Sequence, residues 1–283
     1  MTAQEILGSV SEKKREDALW LLCALLKKNR SEILLNPKIP LGRERVRRWR
    51  AWWRRRMGGE PLQYVSGFAP FWGRDFQVNR NVLIPRPETE VLVELALDLF
   101  RGAEPVSVLD IGTGSGCIAL TLKAERPHWQ ITATDLSPKA LAIAKKNASA
   151  IGLSVSLERH DLFSEALRER GFDLVVSNPP YLDFSRDWIA SDVKKWEPRA
   201  ALEPAIQQKI PGIKDRAAWC ANRILLACVE ARPRYSVLEL SPRVAANLER
   251  RWRSHSAVER AWRAPDLAGR KRFLLIAWKS RVA

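Results

Sequence analysis

The chain has 283 residues, 46% of them hydrophobic, and it carries a formal net charge of +16. This length and composition predict a globular protein of one large or two modest domains, with apolar runs too short to cross a bilayer. The four cysteines and three histidines stand in no disulfide or metal-ligand spacing, and the N-terminus lacks the cleavage pattern of a secretory signal. We therefore expect a cytoplasmic protein without a metal site.

The positive charge is concentrated at the two ends of the chain. Residues 1–75 carry a net charge of +8 and residues 231–283 one of +9, whereas residues 76–230 carry −1. Clustered lysine and arginine side chains attract polyanionic or acidic partners. The charge distribution fits two interpretations, namely such a partner or a basic surface that contacts only solvent.

Residues 1–60 are predicted to form a small helical bundle. Leucines within Ala18–Leu26 recur at spacings of three and four residues, which predicts an amphipathic helix. A further helix from Arg43 carries an apolar stripe through Trp49 and Trp53, with arginines on its other faces. Tryptophan interleaved with arginine can bind RNA. Both tryptophans fall where a core needs them, however, so core packing is the favoured interpretation.

Residues 61–86 are predicted to be a linker that contains a β-hairpin. Glycine and proline interrupt this stretch and leave only short extended pieces. The pieces are predicted at Leu62–Val65, Phe76–Val78 and Val82–Ile84.

The last predicted domain, residues 87–283, follows a Pro-Arg-Pro-Glu-Thr-Glu string at residues 85–90. Proline and acidic residues are favoured at a helix N-terminus, so this string predicts a helix that runs to about Phe100. Strands and helices then alternate from residue 106 to 253, and two final strands form a hairpin. This order predicts an α/β fold with a mostly parallel sheet, to which the final hairpin adds an antiparallel strand.

A glycine-rich turn follows the first strand of this domain. The turn consists of Gly112, Thr113, Gly114, Ser115 and Gly116. Glycines let the backbone turn sharply and let a ligand come close, and the helix N-terminus behind them favours an anionic group. Dinucleotide enzymes use a similar turn, so the loop alone leaves its ligand open. Asp110 precedes the loop, and Asp135 at the end of the next strand suits two ribose hydroxyls.

A strand is predicted at residues 172–177, and the loop that follows it consists of Asn178, Pro179, Pro180 and Tyr181. Proline lacks an N–H group and restricts the preceding residue to extended geometry, so this loop is held out of a helix. A planar amide or exocyclic amine can donate its two hydrogens to the Asn178 side-chain oxygen and the Pro179 carbonyl, while Tyr181 stacks on its face. Ordinary turn formation is the alternative for the Asn-Pro pair alone.

The Asn-Pro-Pro-Tyr string behind a strand resembles the catalytic motif of amino-methyltransferases that use S-adenosylmethionine (AdoMet) on adenine or glutamine nitrogens. Together with the string at residues 85–90, the segment 192–202 and the closing hairpin, it resembles the HemK/PrmC family, which methylates a glutamine of peptide-chain release factors. The resemblance spans nearly the whole chain and weakens over residues 203–234.

This resemblance implies a class I AdoMet-dependent methyltransferase fold, which is Rossmann-like with a mostly parallel seven-stranded sheet, behind the small N-terminal helical bundle. It implies that the cofactor AdoMet is bound by Asp110, Gly112, Thr113, Gly114, Ser115, Gly116, Asp135, Asp161, Leu162 and Asn178. It implies that catalysis rests on Asn178, Pro179, Pro180 and Tyr181. Asp161 matches a position that faces adenine in this superfamily, with Leu162 beside it, although Asp161 could also cap a turn.

The resemblance implies in-line transfer of the AdoMet methyl group to the amide nitrogen N5 of the glutamine in the Gly-Gly-Gln motif of release factors. Two alternatives stay open, namely an adenine-N6 methyltransferase that acts on DNA or RNA and a non-catalytic module that binds AdoMet or RNA. We expect a monomer with release factors as its protein partner, residues 1–60 as the substrate-recognition domain, and no membrane partner. Contact between helix 43–56 and nucleic acid or the ribosome is open.

Overall fold

A computed structural model of the chain describes residues 1–161, 170–204 and 215–280. The chain divides into two compact units, one made of Met1–Phe68 with Ser191–Trp196 and the other of Ala69–Ala190 with Glu197–Ala283. In the described part of the chain, no helix is long and apolar enough to span a membrane.

The first unit is helical, as predicted. Its helices are α1 (Ala3–Ser9), α2 (Arg15–Leu26), α3 (Arg30–Leu35), α4 (Arg43–Met57), α5 (Leu62–Ser66) and, from later in the chain, α9 (Ser191–Trp196). Leu21, Leu22 and Trp49 are buried in its core. The rings of Trp49 and Trp53 stack with their centroids 5.3 Å apart. Trp49 and Trp53 therefore serve core packing, which confirms the favoured interpretation of their spacing.

The prediction of an extended piece at Leu62–Val65 was wrong, because this stretch begins helix α5. Gly67 ends the helix with a φ of 84°, a left-handed conformation that glycine adopts readily. The Arg55 side chain donates to the carbonyl oxygens of Tyr64 and Val65 at 2.9 and 3.2 Å. A side chain from α4 thus supplies donors for carbonyl groups that a short helix leaves unpaired.

The hairpin of the expected linker consists of β1 (Phe68–Phe71) and β2 (Arg74–Gln77). Trp72 and Gly73 form its two-residue turn with φ values of 51° and 69°, as the mirror-image turns of tight hairpins require. The first of these strands was not predicted, and no strand forms at Val82–Ile84. Val82 and Ile84 are buried there, but the stretch pairs with no strand among the described residues, so an apolar run alone wrongly indicated a strand.

The second unit contains the seven-stranded sheet. Its strands are β3 (Ser107–Ile111), β4 (Gln130–Asp135), β5 (Ser156–Arg159), β6 (Leu174–Ser177), β7 (Tyr235–Glu239), β8 (Val258–Ala264) and β9 (Phe273–Trp278). Their order is β5-β4-β3-β6-β7-β9-β8, and β9 runs antiparallel to both of its neighbours. The remaining pairs are parallel. The expected mostly parallel α/β sheet is confirmed.

Helices cover both faces of this sheet. They are α6 (Pro87–Asp98), α7 (Cys117–Glu125), α8 (Pro138–Ile151), α11 (Trp219–Ala231) and α12 (Pro242–Trp252), and the short helix α10 (Arg199–Leu202) belongs to the same unit. Val108 belongs to a core cluster with residues of α6, α7 and α8, whereas its neighbour Leu109 belongs to a second cluster with residues of α11 and α12. Successive strand residues point to opposite faces, so β3 is buried on both sides. Its carboxyl end is left as the accessible edge.

Candidate active site

The carboxyl ends of four neighbouring parallel strands bring most of the expected site residues together. Ile111 at the end of β3 pairs with Thr134 of β4 and with Ser177 of β6, and Ser177 pairs in turn with Leu238 of β7. The residues that follow these positions are Gly112, Asp135, Asn178 and Glu239. In open α/β sheets, ligands bind at this edge.

The glycine turn is folded tightly onto the end of β4. The backbone amides of Gly112 and Thr113 both donate to the Thr134 carbonyl oxygen, at 2.8 and 2.9 Å. Gly112 and Gly114 have φ values of 75° and 58°, which disfavour any residue with a Cβ atom. A Cβ atom on either would meet no other atom within 4 Å. The turn therefore leaves open space beside its backbone where a ligand can approach.

The third glycine of the turn has a different function. Gly116 also has a positive φ, of 82°, but a Cβ atom there would lie 3.1 Å from Leu120 Cδ1 and 3.2 Å from the Ala144 Cβ atom of α8. Such distances are too short for ordinary packing. Gly116 thus allows α7 to begin directly against α8, which places the α7 N-terminus behind the turn.

Asp110 lies fully buried beneath the turn. Its Oδ2 atom accepts a hydrogen bond of 2.7 Å from the Thr113 hydroxyl, and Oδ1 has no donor among the described residues. Burial raises the pKa of Asp110 to about 7, and the charge of Asp135 adds to this rise, whereas the Thr113 bond opposes it. A buried carboxylate oxygen without a donor is costly, so this atom is a candidate acceptor for a ligand ammonium group.

Asp135 is oriented by two backbone amides. Its Oδ2 atom accepts from Gly114 N at 2.9 Å and its Oδ1 atom from Ser137 N at 2.8 Å. Burial raises its pKa, and both backbone bonds counteract that rise. Each carboxylate oxygen has a second acceptor site, so the pair can receive two neighbouring hydroxyl groups, as the sequence predicts for a ribose.

Asp161 follows β5 at the same end of the sheet and is half-buried. Burial raises the pKa of the Cys220 thiol in α11 to about 12, and the Asp161 charge adds to this rise. Leu162, the other expected adenine contact, lies outside the described residues.

The Asn178 side chain is held by two acceptors. Its Nδ2 atom donates to Glu239 Oε2 at 3.0 Å and contacts Thr89 Oγ1 at 3.2 Å. Only the nitrogen of a carboxamide can donate, so these contacts determine which way the group faces. Among the described residues, neither Asn178 Oδ1 nor the Pro179 carbonyl oxygen accepts a hydrogen bond. The two oxygens predicted to recognise an NH₂ group are therefore both available.

The rest of the Asn-Pro-Pro-Tyr loop is well packed. Pro179 is buried, and Pro180 and Tyr181 are half-buried. Tyr181 packs against the core cluster of α11 and α12. Burial raises the pKa of its hydroxyl above the usual value, and the Glu239 charge adds to the rise. Tyr181 is therefore uncharged at neutral pH and presents an apolar ring.

Sequence reasoning missed Glu239, which is only 1% exposed. Thr89 Oγ1 donates to its Oε2 atom at 2.7 Å, although Thr89 was assigned only to a helix start. The available signal was positional, since an acid at the end of a parallel strand, like Asp135, points to the ligand edge.

Glu197 was also missed as a link between two of the segments that carry the family resemblance. It is buried, accepts from Ile84 N at 3.2 Å and forms an ion pair with Arg86. This pair ties the segment 192–202 to the start of α6, the helix that carries Thr89. The strings that mark the family in the sequence thus meet in the structure.

A buried asparagine connects the glycine turn to the β1–β2 hairpin. Asn147 of α8 donates to the carbonyl oxygens of Ser115 and Gln77 at 2.8 and 3.1 Å, and its Oδ1 atom accepts from Gln77 N at 2.7 Å. One side chain therefore satisfies three backbone groups in two segments. It thereby joins Ser115 of the turn to Gln77 of the hairpin.

Comparison with known proteins identifies two matching family models. The methyltransferase small domain model matches residues 89–190, and the PrmC N-terminal domain model matches residues 2–67. A release factor glutamine methyltransferase of Geobacter sulfurreducens is 44% identical over 201 residues, which are 69% of this chain and 70% of the relative. The one from Coxiella burnetii is 41% identical over 196 residues, which are 69% and 70%.

A solved structure with the same fold is the N-terminal domain of human METTL16 in complex with SAH. It aligns with a TM-score of 0.53 and 20% sequence identity, over 74% of this chain and 76% of that chain. At this identity the similarity shows a shared methyltransferase fold.

We predict that Asn147→Ala lowers the free energy of unfolding by about 2–4 kcal/mol, because it leaves three buried backbone groups without partners. Urea denaturation followed by circular dichroism measures this change. Lys146→Ala, at the exposed neighbouring position of α8, is the control and should change stability by less than about 0.5 kcal/mol. Equal stabilities of the two variants would show that Asn147 does not hold the turn.

Proposed function

Because the chain belongs to the release factor glutamine methyltransferase family, we propose that it transfers the methyl group of AdoMet to the side-chain nitrogen N5 of a glutamine. The proposed acceptor is the glutamine of the Gly-Gly-Gln motif in a peptide-chain release factor. The observation that carries this proposal is the orientation of Asn178. Its Nδ2 atom is bound by Glu239, so its Oδ1 atom is left to accept an N–H group of the substrate.

The cofactor is AdoMet, and the described residues fit it. Gly112 and Gly114 leave open space in front of a helix N-terminus, which suits the carboxylate of the methionine portion. The free oxygen of Asp110 suits its ammonium group, and Asp135 suits the ribose hydroxyls. Asp161 is the proposed contact for the adenine ring. When bound, AdoMet supplies an electrophilic sulfonium methyl group.

The residues of the Asn-Pro-Pro-Tyr loop act on the acceptor amide. An amide nitrogen is a poor nucleophile because its lone pair is delocalised into the carbonyl group. Asn178 Oδ1 and the Pro179 carbonyl oxygen each accept one N–H of this nitrogen, and both bonds strengthen as it becomes positive. Tyr181 stacks on the amide plane, and Pro180 keeps the loop extended. These contacts orient the nitrogen for in-line attack.

An adenine acceptor would use the same two oxygens, because its exocyclic amine is also a planar NH₂ group. A duplex adenine must leave its stack, which costs on the order of a few kcal/mol and requires contacts to the phosphate backbone around the pocket. Residues 76–230, which contain most of the site, carry a net charge of −1. This charge suits a protein loop better than a polyanion, so we favour the glutamine.

We predict that mass spectrometry will find one added methyl group on the glutamine of the Gly-Gly-Gln loop after incubation of a release factor with the protein and AdoMet. A release factor with Gln→Asn in this loop is the matched control and should stay unmodified, because the shorter side chain cannot reach. Methylation of adenine in DNA or RNA, with none on the release factor, would overturn the assignment. Absence of any methyl transfer would favour the non-catalytic module.

We predict that Asp135→Ala and Asn178→Ala separate cofactor binding from turnover. Loss of the Asp135 carboxylate should raise the Kd for AdoMet roughly 10- to 100-fold, as expected for hydrogen bonds to a charged group. Asn178→Ala should leave this Kd nearly unchanged and lower kcat by about 10²- to 10³-fold. Calorimetric titration and single-turnover kinetics measure the two effects. Equal loss of AdoMet affinity in both variants would contradict this division of roles.

The arginines of α4 supply the proposed surface for recruiting the protein substrate. Arg55 is not part of it, because its guanidinium group binds the buried Glu60 carboxylate, and Arg56 pairs with Asp17 at 2.8 Å. Within α4, the exposed arginines that form no ion pair with any described residue are Arg43, Arg45, Arg47, Arg48, Arg50 and Arg54. Their charge is free to attract an acidic protein surface.

We predict that replacing Arg43, Arg47, Arg50 and Arg54 by Gln raises KM for the release factor roughly tenfold with little change in kcat, because each exposed charge contributes a fraction of a kcal/mol. These four positions follow helical spacing and form one stripe. The control variant removes four exposed charges from the other unit, at Lys145, Lys146, Arg250 and Arg253. A KM that stays constant across a salt series would exclude electrostatic recruitment.

A further inference from the structure

Glu239 is a buried acid that contacts Asn178 but has no direct contact with the acceptor or the cofactor in the proposed chemistry. It ends β7 beside the Asn-Pro-Pro-Tyr loop and is 1% exposed. A carboxylate is expensive to bury unless it is hydrogen-bonded. Its Oε2 atom accepts from the Thr89 hydroxyl at 2.7 Å and from Asn178 Nδ2 at 3.0 Å. Both donors are uncharged, and one of them belongs to the residue that faces the acceptor.

We propose that Glu239 is a positioning residue, whose carboxylate holds the Asn178 carboxamide with Oδ1 toward the methyl acceptor and increases the electron density on that oxygen. This inference rests on the proposed function. A carboxamide rotated by 180° would present N–H groups to the N–H groups of the substrate, and the interaction would be repulsive. Donation of an N–H to a carboxylate also polarises the amide, which strengthens Oδ1 as an acceptor.

The direction of this effect matches the proposed reaction. The acceptor nitrogen gains positive charge as the methyl group is transferred, and Asn178 Oδ1 is the atom that meets it. A negative charge one hydrogen bond further away stabilises that developing charge, and it does so in a dry site where electrostatic interactions are strong. Thr89 shares the carboxylate and contacts Asn178 at 3.2 Å, so the three side chains form one closed network.

The charge state of Glu239 makes the network sensitive to pH. Burial raises the pKa of Glu239 to about 7, and the bond from Thr89 opposes this rise. The titratable groups whose charges act on or respond to it are Arg272 before β9, Arg86 and Glu88 at the start of α6, Tyr181 after β6, and Cys117 in α7. The two arginines favour the ionised form and Glu88 opposes it. The hydrogen bonds to the Glu239 carboxylate are therefore strongest above pH 7, and they weaken below it as the carboxylate becomes protonated.

We predict that Glu239→Gln lowers kcat on the order of 10- to 100-fold at pH 8, the size of effect known for residues that orient a catalytic group, with AdoMet affinity within twofold of wild type. Wild-type kcat should fall as the pH drops through about 7, and this decrease should be absent from the pH profile of the Glu239→Gln variant. Glu249→Gln, which makes the same change at a partly buried acid paired with Arg263, is the matched control and should keep the wild-type profile.

A double-mutant cycle tests whether Glu239 acts through Asn178. In an Asn178→Ala background, Glu239→Gln should cause no further loss of kcat, because the group that it orients is absent. A loss of the same factor in both backgrounds would overturn the inference, since Glu239 would then act on its own. An unchanged kcat in the single variant would overturn it as well.

Side-chain amide NMR of the free wild-type protein provides a further test. It requires neither a folded Glu239→Gln variant nor enzymatic turnover. The Asn178 NH₂ resonances, assigned by their loss in Asn178→Ala, should titrate with a midpoint near pH 7. Thr89→Val should move this midpoint to higher pH, because it removes a bond that favours the ionised carboxylate. Resonances that do not titrate would overturn the inference. If wild type methylates no release factor, the proposed function fails, and the NMR titration still decides whether Glu239 holds Asn178.

Discussion

The pairing of β3 with parallel strands on both sides is the constraint on which the rest of the site depends. Ile111 pairs with Thr134 on one side and Ser177 on the other. The three strands therefore end at the same edge of the sheet. The glycine turn, Asp135 and Asn178 lie there, directly after the strand ends. Burial of β3 on both faces prevents it from shifting, because a slip by one residue would exchange its two core faces. The turn is then locked to β4 by two amides on one carbonyl oxygen.

Three carboxylates lie in the low-dielectric region behind this edge, and burial raises the pKa of each. Asp110, Asp135 and Glu239 are oriented by hydroxyl, backbone amide and carboxamide donors, with no ion pair among the described residues. In their ionised forms, these carboxylates are therefore oriented without being neutralised by an ion pair. Such a site favours a cationic cofactor and an acceptor that becomes positive during transfer.

The start of α6 supports the site from the side. Thr89 reaches the Asn178 network, and Arg86 is held by Glu197. Asn147 joins Ser115 of the turn to Gln77 of the hairpin. Segments far apart in the chain thus restrict the turn and the Asn-Pro-Pro-Tyr loop from several directions. A methyl transfer that requires exact alignment of donor and acceptor benefits from this restriction.

The sequence by itself determined the alternation of strands and helices, the glycine turn and the loop at Asn178, because each rests on local periodicity or on the restricted backbone of glycine and proline. It also indicated Asp135 by its place after a strand. Only the tertiary structure decided the helix at Leu62–Ser66 and the partners of Asn178. Arg55 stabilises that helix from a neighbouring element, and Glu239 lies 61 residues from Asn178 in the chain. Contacts between different elements produce no periodic pattern in the sequence. Neither this helix nor the partners of Asn178 could therefore be derived from the sequence.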